Sequence, residues 1–159
     1  MKTDNNKLIV SAIENGTVLD HIPSSQIFRV LDILNLYATE QPITIGMNLN
    51  SKLMDKKGII KISNIFFEDN DINKIALIAP HASINIIKNY KVVDKKVISI
   101  PEHVNGIVKC DNPVCVTNHQ EIETKFKTVV RKNGETELIC HYCGKATALK
   151  SLKILSKQN

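Results

Sequence analysis

The sequence lacks the features that mark membrane-spanning and secreted proteins. None of its apolar runs approaches the ~20 residues with which a helix crosses a bilayer. Its first seven residues are polar, and the apolar stretch of a secretory signal does not follow them. We therefore expect a cytoplasmic protein without a membrane partner, in a reducing compartment where disulfides are disfavoured.

Aromatic residues are also scarce. The 159 residues include no Trp, three Tyr and four Phe, although 43% of the chain is hydrophobic. Ile, Val and Leu carry this apolar share, which suits small cores built on β-branched strands. The length allows one ordinary domain or two small ones. A formal net charge of +5 fits an anionic partner such as a nucleotide, but equally the solvated surface of any basic protein.

The cysteines are confined to two short loops in the last third of the chain, separated by residues 116–139. Paired cysteine loops at such a separation are typical of a zinc ribbon, in which four thiolates surround Zn²⁺ tetrahedrally. The alternatives are two disulfides or unrelated buried thiols. Four sulfurs complete the tetrahedron and leave no position for water, so we expect one structural ion. For the same reason we expect His141 to be an exposed loop residue and not a metal ligand. The predicted ligands are Cys110, Cys115, Cys140 and Cys143.

Hydrophobic periodicity predicts the first elements. The run from Lys7 to Ile13 is rich in β-forming residues and predicts a strand, which Gly16 would break. A helix is expected from a cap near Ser24 to about Tyr37–Ala38. Its predicted buried face consists of Ile27, Val30, Leu31 and Leu34.

Three further strands and a second helix complete the first unit. Alternation predicts a strand over Ile43–Leu49 with its isoleucines, Met47 and Leu49 buried, a polar turn over Asp55–Gly58, and a strand over Ile59–Phe66. A helix carrying Ile72, Ile75, Ala76 and Ile78 follows Glu68–Asp71 and ends at Ala79–Pro80. Strands follow at Ser83–Ile87 and, on an edge, at Tyr90–Val97. The order is βαββαβ, the ferredoxin-like arrangement of an α+β fold.

The second unit is predicted to be a small β domain around the cysteines. Ser99–Gly106 is the expected linker, and Asn133–Gly134 marks a hairpin between strands at Lys125–Lys132 and Glu135–Ile139. We thus expect two domains, residues 1–100 and 101–159. Because a unit of this size has little core, zinc should stabilise it decisively.

Several segments together resemble the regulatory chain of aspartate carbamoyltransferase. They are Asp20–Pro23, Ile43–Leu49, Ile60–Asn64 and Asn89–Val93, with the family's arrangement of four cysteines. The resemblance covers nearly the whole chain. It implies a nucleotide-binding allosteric domain followed by a zinc domain, without catalytic activity. Such chains pair through their allosteric domains, and their zinc domains hold catalytic trimers, typically two trimers with three regulatory dimers, in the control of pyrimidine biosynthesis.

The resemblance also implies an effector site for CTP and UTP as inhibitors and ATP as activator. Lys61 and Lys95 would bind phosphates and His21 would donate to one, while Asp20 would accept from sugar hydroxyls. Taken singly, the two lysines fit a solvated surface and Asp20 a turn. The other matching positions, around base and sugar, are Ala12, Ile13, Asn85, Tyr90 and Val92.

Two departures and two alternatives stand beside this interpretation. Val114 and Gly144 occupy positions where the best-known members carry Asn and Glu that contact the catalytic chain. A zinc-ribbon nucleic-acid-binding module is the alternative function. RNA-binding sheets present two or three stacking aromatics, whereas the predicted central strands here carry Ile, Met, Leu and Asn. We therefore expect no nucleic-acid partner. An enzyme would need a nucleophile–base or paired-carboxylate pattern, and the sequence offers none.

Overall fold

A computed structural model describes residues 10–155. Its first half is a five-stranded antiparallel sheet with strand order β2-β3-β1-β4-β5. With the helices in sequence this is the predicted ferredoxin-like βαββαβ order, to which β5 adds an edge strand beside β4. The elements are β1 (Gly16–Ile22), α1 (Ile27–Ile33), β2 (Ile43–Ser51), β3 (Asp55–Ser63), α2 (Asp69–Ile78), β4 (Ser83–Lys88) and β5 (Lys91–Val97).

The first core lies between the sheet and its two helices. Leu19 of β1 opposes Ile60 of β3 and Ile84 of β4, so the three side chains share one face. They pack with Ile27 of α1 and Ile75 of α2 in one buried cluster. Each fully buried side chain of this size contributes ~1.5–3 kcal/mol. The alternate residues of the same strands lie on the opposite face of the sheet.

The first strand is not where the sequence predicted it. Residues 7–9 lie outside the described range, and residues 10–13 form no regular element. Gly16 begins β1 instead of ending a strand. Its φ is +139°, and a Cβ there would lie 2.0 Å from the Ile62 carbonyl oxygen. Glycine is required because β1 and β3 approach so closely at this point.

The first helix is shorter than predicted. A 3₁₀ turn spans Ser24–Gln26, and a second follows at Leu36–Ala38 after Asn35, whose φ is 51°. The Ser24 hydroxyl accepts a hydrogen bond from the backbone N–H of Asn48 at 3.0 Å and caps no helix. Ile27, Val30 and Leu31 are buried as predicted, and Leu34 is half-buried. The second helix ends before Ala79–Pro80, as predicted.

Three expectations for β2 and β3 are wrong. The turn between them lies at residues 52–54, so Asp55–Gly58 belongs to β3. Ile45 and Met47, expected in the core, are 41% and 38% exposed. Both belong to an edge strand that α1 does not cover fully. The predicted strand extends to Phe66, whereas β3 ends at Ser63 and Phe66 beyond it is 49% exposed.

The second half is a four-stranded antiparallel sheet and a two-stranded ribbon. The predicted linker Ser99–Gly106 contains a strand. The predicted hairpin turns at Gly134, whose φ is +83°. Val104, Phe126 and Leu138 form a second core with three of the cysteines. The strands are β6 (His103–Asn105), β7 (Val108–Lys109), β8 (Lys125–Val130), β9 (Thr136–Cys140), β10 (Ala146–Ala148) and β11 (Lys153–Ile154).

Both helices of the first half also contact the second. Leu77 of α2 is buried in the second core, not the first. The Arg29 guanidinium of α1 donates a hydrogen bond to the Leu152 carbonyl at 2.6 Å. The two halves therefore meet through side chains as well as through the chain that joins them. Within residues 10–155, no helix is long and apolar enough to span a bilayer.

Candidate metal centre and effector site

The four cysteine sulfurs meet in one cluster. All four Sγ atoms lie within 4.8 Å of one another. Cys110 and Cys143 are 3.6 Å apart at Sγ, and Cys115 and Cys140 are 3.8 Å apart, with no disulfide among the four. Sulfurs bound at ~2.3 Å around a tetrahedral ion are about 3.8 Å apart. The donor set and its spacing therefore fit a tetrahedral metal ion.

Local hydrogen bonds shape both loops. In the first, the Asn118 side-chain amide donates to the carbonyls of Cys110 and Asn112 at 2.9 and 2.8 Å. In the second, the backbone N–H of Gly144 donates to the Cys140 carbonyl at 2.9 Å. Gly144 has a φ of +73°, which glycine adopts without strain. The residue that departs from the expected Glu thus suits the tight turn.

The thiols differ in how readily they ionise. Burial raises the pKa of Cys110 to about 12 and also raises the pKa of Cys140. The Thr117 hydroxyl, which donates to Cys115 Sγ at 3.3 Å, lowers the pKa of Cys115. Burial opposes ionisation of Cys143, yet the Lys145 backbone N–H and further hydrogen bonds lower its pKa to about 6. Four thiolates in so small a volume need a cation to balance their charge.

The register of the first sheet aligns four residues that are distant in sequence. Val18 of β1 opposes Lys61 of β3 on one side and Asn85 of β4 on the other. Asn85 in turn opposes Lys95 of β5. Directly paired residues of antiparallel strands share a face. Lys61, Asn85 and Lys95 therefore lie in one row on the face that the helices leave open.

One end of this row is bordered by the segment before β1. Lys61 Nζ donates to the carbonyls of Val10 and Ser11 at 3.2 and 2.8 Å. Ala12 and Ile13 follow directly, so they lie beside the lysine. The backbone N–H of Tyr90 donates to the Glu14 carbonyl at 2.9 Å and joins the β4–β5 turn to the same segment. Tyr90 and Val92 are exposed there.

Asp20 and His21 lie at the other end of the open face. Asp20 opposes Ser83, and the His21 Nδ1 atom is 3.3 Å from the Ser83 hydroxyl. Lys57 Nζ is 2.8 Å from one Asp20 carboxylate oxygen and 3.1 Å from the other. Partial burial lowers the pKa of Lys61, although the Asp20 charge acts in the opposite direction.

Lys57 is a further candidate for the effector site, which the sequence patterns did not reveal. Residues 57 and 61 are four apart in β3, so their side chains share the open face. The signal was period-two alternation, and it was hidden because Asp55–Gly58 was assigned to a turn. With Lys57 added to the nine residues named from the resemblance, the candidate site on the open face has three lysines, one carboxylate and one imidazole.

Comparisons with known proteins agree over both halves. Residues 8–99 match the family model described as aspartate carbamoyltransferase regulatory chain, allosteric domain. Residues 102–153 match the family's metal binding domain.

Curated relatives match over most of their length. The aspartate carbamoyltransferase regulatory chain of Phocaeicola vulgatus is 45% identical over 157 residues, which cover 98% of this chain and all of the relative. The regulatory chain of Yersinia enterocolitica is 45% identical, covering 90% of this chain and 92% of its own. That of Thermococcus sibiricus is 44% identical, with 86% and 89% covered. The chain therefore belongs to the family of aspartate carbamoyltransferase regulatory chains and is a regulatory, not a catalytic, member of that enzyme.

Proposed function

We propose that this chain binds nucleoside triphosphates on the open face of its first sheet and thereby regulates a catalytic chain held by its metal domain. The observation that carries the proposal is the row of Lys61, Asn85 and Lys95 across three strands. A row of cations beside hydrogen-bonding side chains and exposed backbone suits a ligand with phosphates at one end and a base at the other.

The chemistry divides the ligand along the site. Lys57, Lys61 and Lys95 are compact cations that bind the triphosphate, and His21 donates to a phosphate oxygen. Asp20 accepts from the sugar hydroxyls. The backbone at Ala12 and Ile13, with Tyr90 and Val92 nearby, contacts the base. CTP, UTP and ATP share the phosphate contacts, so they compete, while bases of different size act differently on the segment before β1.

The metal is zinc, held by Cys110, Cys115, Cys140 and Cys143. Sulfur spacings of 3.6 and 3.8 Å support this choice, because they match a tetrahedral ion with zinc–sulfur bonds of ~2.3 Å. When bound, zinc with four thiolates has no open position and is structural. Free thiols in a reducing cytoplasm are consistent with this assignment.

The partners follow from two exposed regions. The β2 edge exposes Ile45 and Met47 beside unpaired backbone groups, which supports pairing with a second regulatory chain. The zinc loops expose Val114 and Tyr142, which supports contact with the catalytic chain. Near these loops the Asp111 carboxylate forms an ion pair with Lys153 Nζ at 3.1 Å, and its other oxygen lies 4.0 Å from Lys145 Nζ. Three regulatory dimers then hold two catalytic trimers, and CTP and UTP inhibit while ATP activates pyrimidine biosynthesis.

The test is to reconstitute the chain with its catalytic chain and measure carbamoyl transfer to aspartate with CTP, ATP and UTP. We expect nucleotides to alter the rate of the complex and not the rate of the isolated catalytic trimer. Calorimetric competition should show CTP and ATP excluding each other on the isolated regulatory chain. A catalytic trimer that keeps the full response alone, or independent simultaneous binding of CTP and ATP to one allosteric domain, would refute the proposal.

A further inference from the structure

A cavity of about 320 Å³ lies on the helix side of the first sheet, beside α2. Ile84 and Ile86 of β4 line it from the sheet, and Ile72 lines it from α2. All three belong to the first core or pack against it. Successive residues of a strand point to opposite faces, so Asn85, between the two isoleucines, lies on the open face. The cavity and the proposed effector site are therefore on opposite sides of β4.

Two aromatic side chains border the cavity between β3 and α2. Phe66 is 49% exposed, and Phe67 is half-buried against the first core. Aromatic rings pair favourably with a further ring in edge-to-face or offset arrangements. Small-molecule sites in proteins have volumes of ~300–1,000 Å³, so the cavity is at the lower end of this range. Its lining and size favour a small ligand with an apolar, aromatic body.

Charged side chains of both signs surround the apolar lining. Asp94 and Lys96 of β5 lie 3.8 Å apart and offset each other's charge. Lys88 of β4 and Asp69 of α2 also line the cavity, and neither takes part in an ion pair within residues 10–155. An ammonium complements a carboxylate, and a carboxylate complements an ammonium. A ligand that carries both groups matches the two charges that the protein leaves unpaired.

We propose that this cavity binds a small zwitterion with an apolar body, namely an apolar amino acid such as phenylalanine. The carboxylate of the ligand binds Lys88, its ammonium binds Asp69, and its side chain packs against the isoleucines and the phenylalanine rings. A nucleoside triphosphate fits less well, because its phosphates would meet the carboxylates of Asp69 and Asp94. The site is separate from the proposed effector site and goes beyond the proposed function.

The first test is calorimetric titration of the zinc-loaded full chain with L-phenylalanine and three analogues. Hydrocinnamate lacks the ammonium, phenethylamine lacks the carboxylate, and glycine lacks the apolar side chain. We expect saturable binding of L-phenylalanine, and each analogue should bind at least about tenfold more weakly, because each loses one complementary contact. The absence of saturable L-phenylalanine binding, or equally tight binding of hydrocinnamate, would overturn the proposal.

The second test uses two variants with matched controls. Lys88→Gln and Asp69→Asn should each weaken L-phenylalanine binding at least about tenfold. The controls are Lys91→Gln, which opposes Lys88 in β5, and Glu68→Gln, which precedes Asp69; both residues lie outside the cavity lining. Each control should stay within about twofold of wild type, because exposed charges outside the site contribute little. Circular dichroism verifies that all four variants remain folded.

Two outcomes of these titrations would contradict the site. Equal affinities of each variant and its control would remove Lys88 and Asp69 from it. Displacement of L-phenylalanine by CTP would place the amino acid on the open face of the sheet instead. CTP titration of the same proteins measures nucleotide binding separately, so failure of this proposal leaves the proposed function intact.

Discussion

The two halves of the molecule obtain their order from different sources. The buried cluster of the first half is wholly aliphatic, with leucines, isoleucines, one valine and alanines between a sheet and two helices. The cluster of the second half includes three of its cysteines and sits within short strands. A domain of that size has little apolar surface to bury. The comparison teaches that one chain can order one half around an aliphatic core and the other around clustered cysteines, so the proposed nucleotide site and the proposed metal site depend on different kinds of packing.

The largest expected effect is the loss of zinc. Cys140→Ala, or treatment with a mercurial, should unfold the metal domain and release the catalytic chain, because structural zinc contributes ~10–16 kcal/mol. Metal analysis should show one zinc per chain before treatment. Circular dichroism should show that the first half is still folded afterwards. Val114→Ala, at an exposed position of the first loop, is the control and should keep its zinc. A Cys140→Ala chain with a full equivalent of zinc would contradict the ligand assignment.

The second prediction concerns the hydrophobic core of the first half. Ile60→Ala removes a fully buried side chain from its core and should lower the free energy of unfolding by ~2–5 kcal/mol. Leu53→Ala, at an 80% exposed position of the turn between β2 and β3, should cost much less. Denaturant titration with zinc present measures both. A comparable loss in the two variants would contradict the placement of Ile60 in the core.

A smaller effect is expected at the proposed effector site. Lys61→Ala and Lys95→Ala should each weaken nucleoside triphosphate binding by ~1.5–3 kcal/mol, since each removes a charge-assisted contact. Lys96→Ala is a matched control: it adjoins Lys95 in β5 but opposes Ile84, on the helix-covered side. Calorimetric titration with CTP and ATP measures all three. Equal losses at Lys95 and Lys96, or none at Lys61, would place the site elsewhere.

The mildest effect concerns pH. Partial burial lowers the pKa of Lys61 from its ordinary value of 10.5, so its ammonium is lost at a lower pH than that of a solvated lysine. CTP affinity should therefore be full near neutrality and decline as pH rises through this lowered pKa. Lys61→Arg should move the decline to higher pH, because a guanidinium stays protonated. An identical alkaline profile for both proteins would exclude Lys61 as the titrating phosphate ligand.

Some of this architecture was accessible from the sequence. The cysteine loops, α2 and β4 were predictable because spacing and periodicity are local properties. The position of β1 was missed because Gly16 was interpreted as a strand breaker, whereas its lack of a side chain serves the approach of β3. Lys57 was missed for a related reason, since a polar stretch continued a strand that its composition assigned to a turn.

The proposed effector site could not be found from any local sequence pattern. Lys61, Asn85 and Lys95 become neighbours only through the pairing of β3, β1, β4 and β5, which depends on long-range register. The resemblance to a family grouped these residues before the structure did.

The contacts of α1 and α2 with the second half can be compared in free energy with a typical allosteric coupling between two sites. Disrupting one intramolecular hydrogen bond, such as that from Arg29 to the Leu152 carbonyl, changes free energy by ~0.5–1.5 kcal/mol. Exposing one leucine, such as Leu77, costs ~1.5–3 kcal/mol. Allosteric coupling energies are typically ~1–3 kcal/mol. The free-energy change from rearranging this one contact between the halves is therefore large enough to account for a typical allosteric coupling energy. Neither hydrophobic core needs to unfold for such a response.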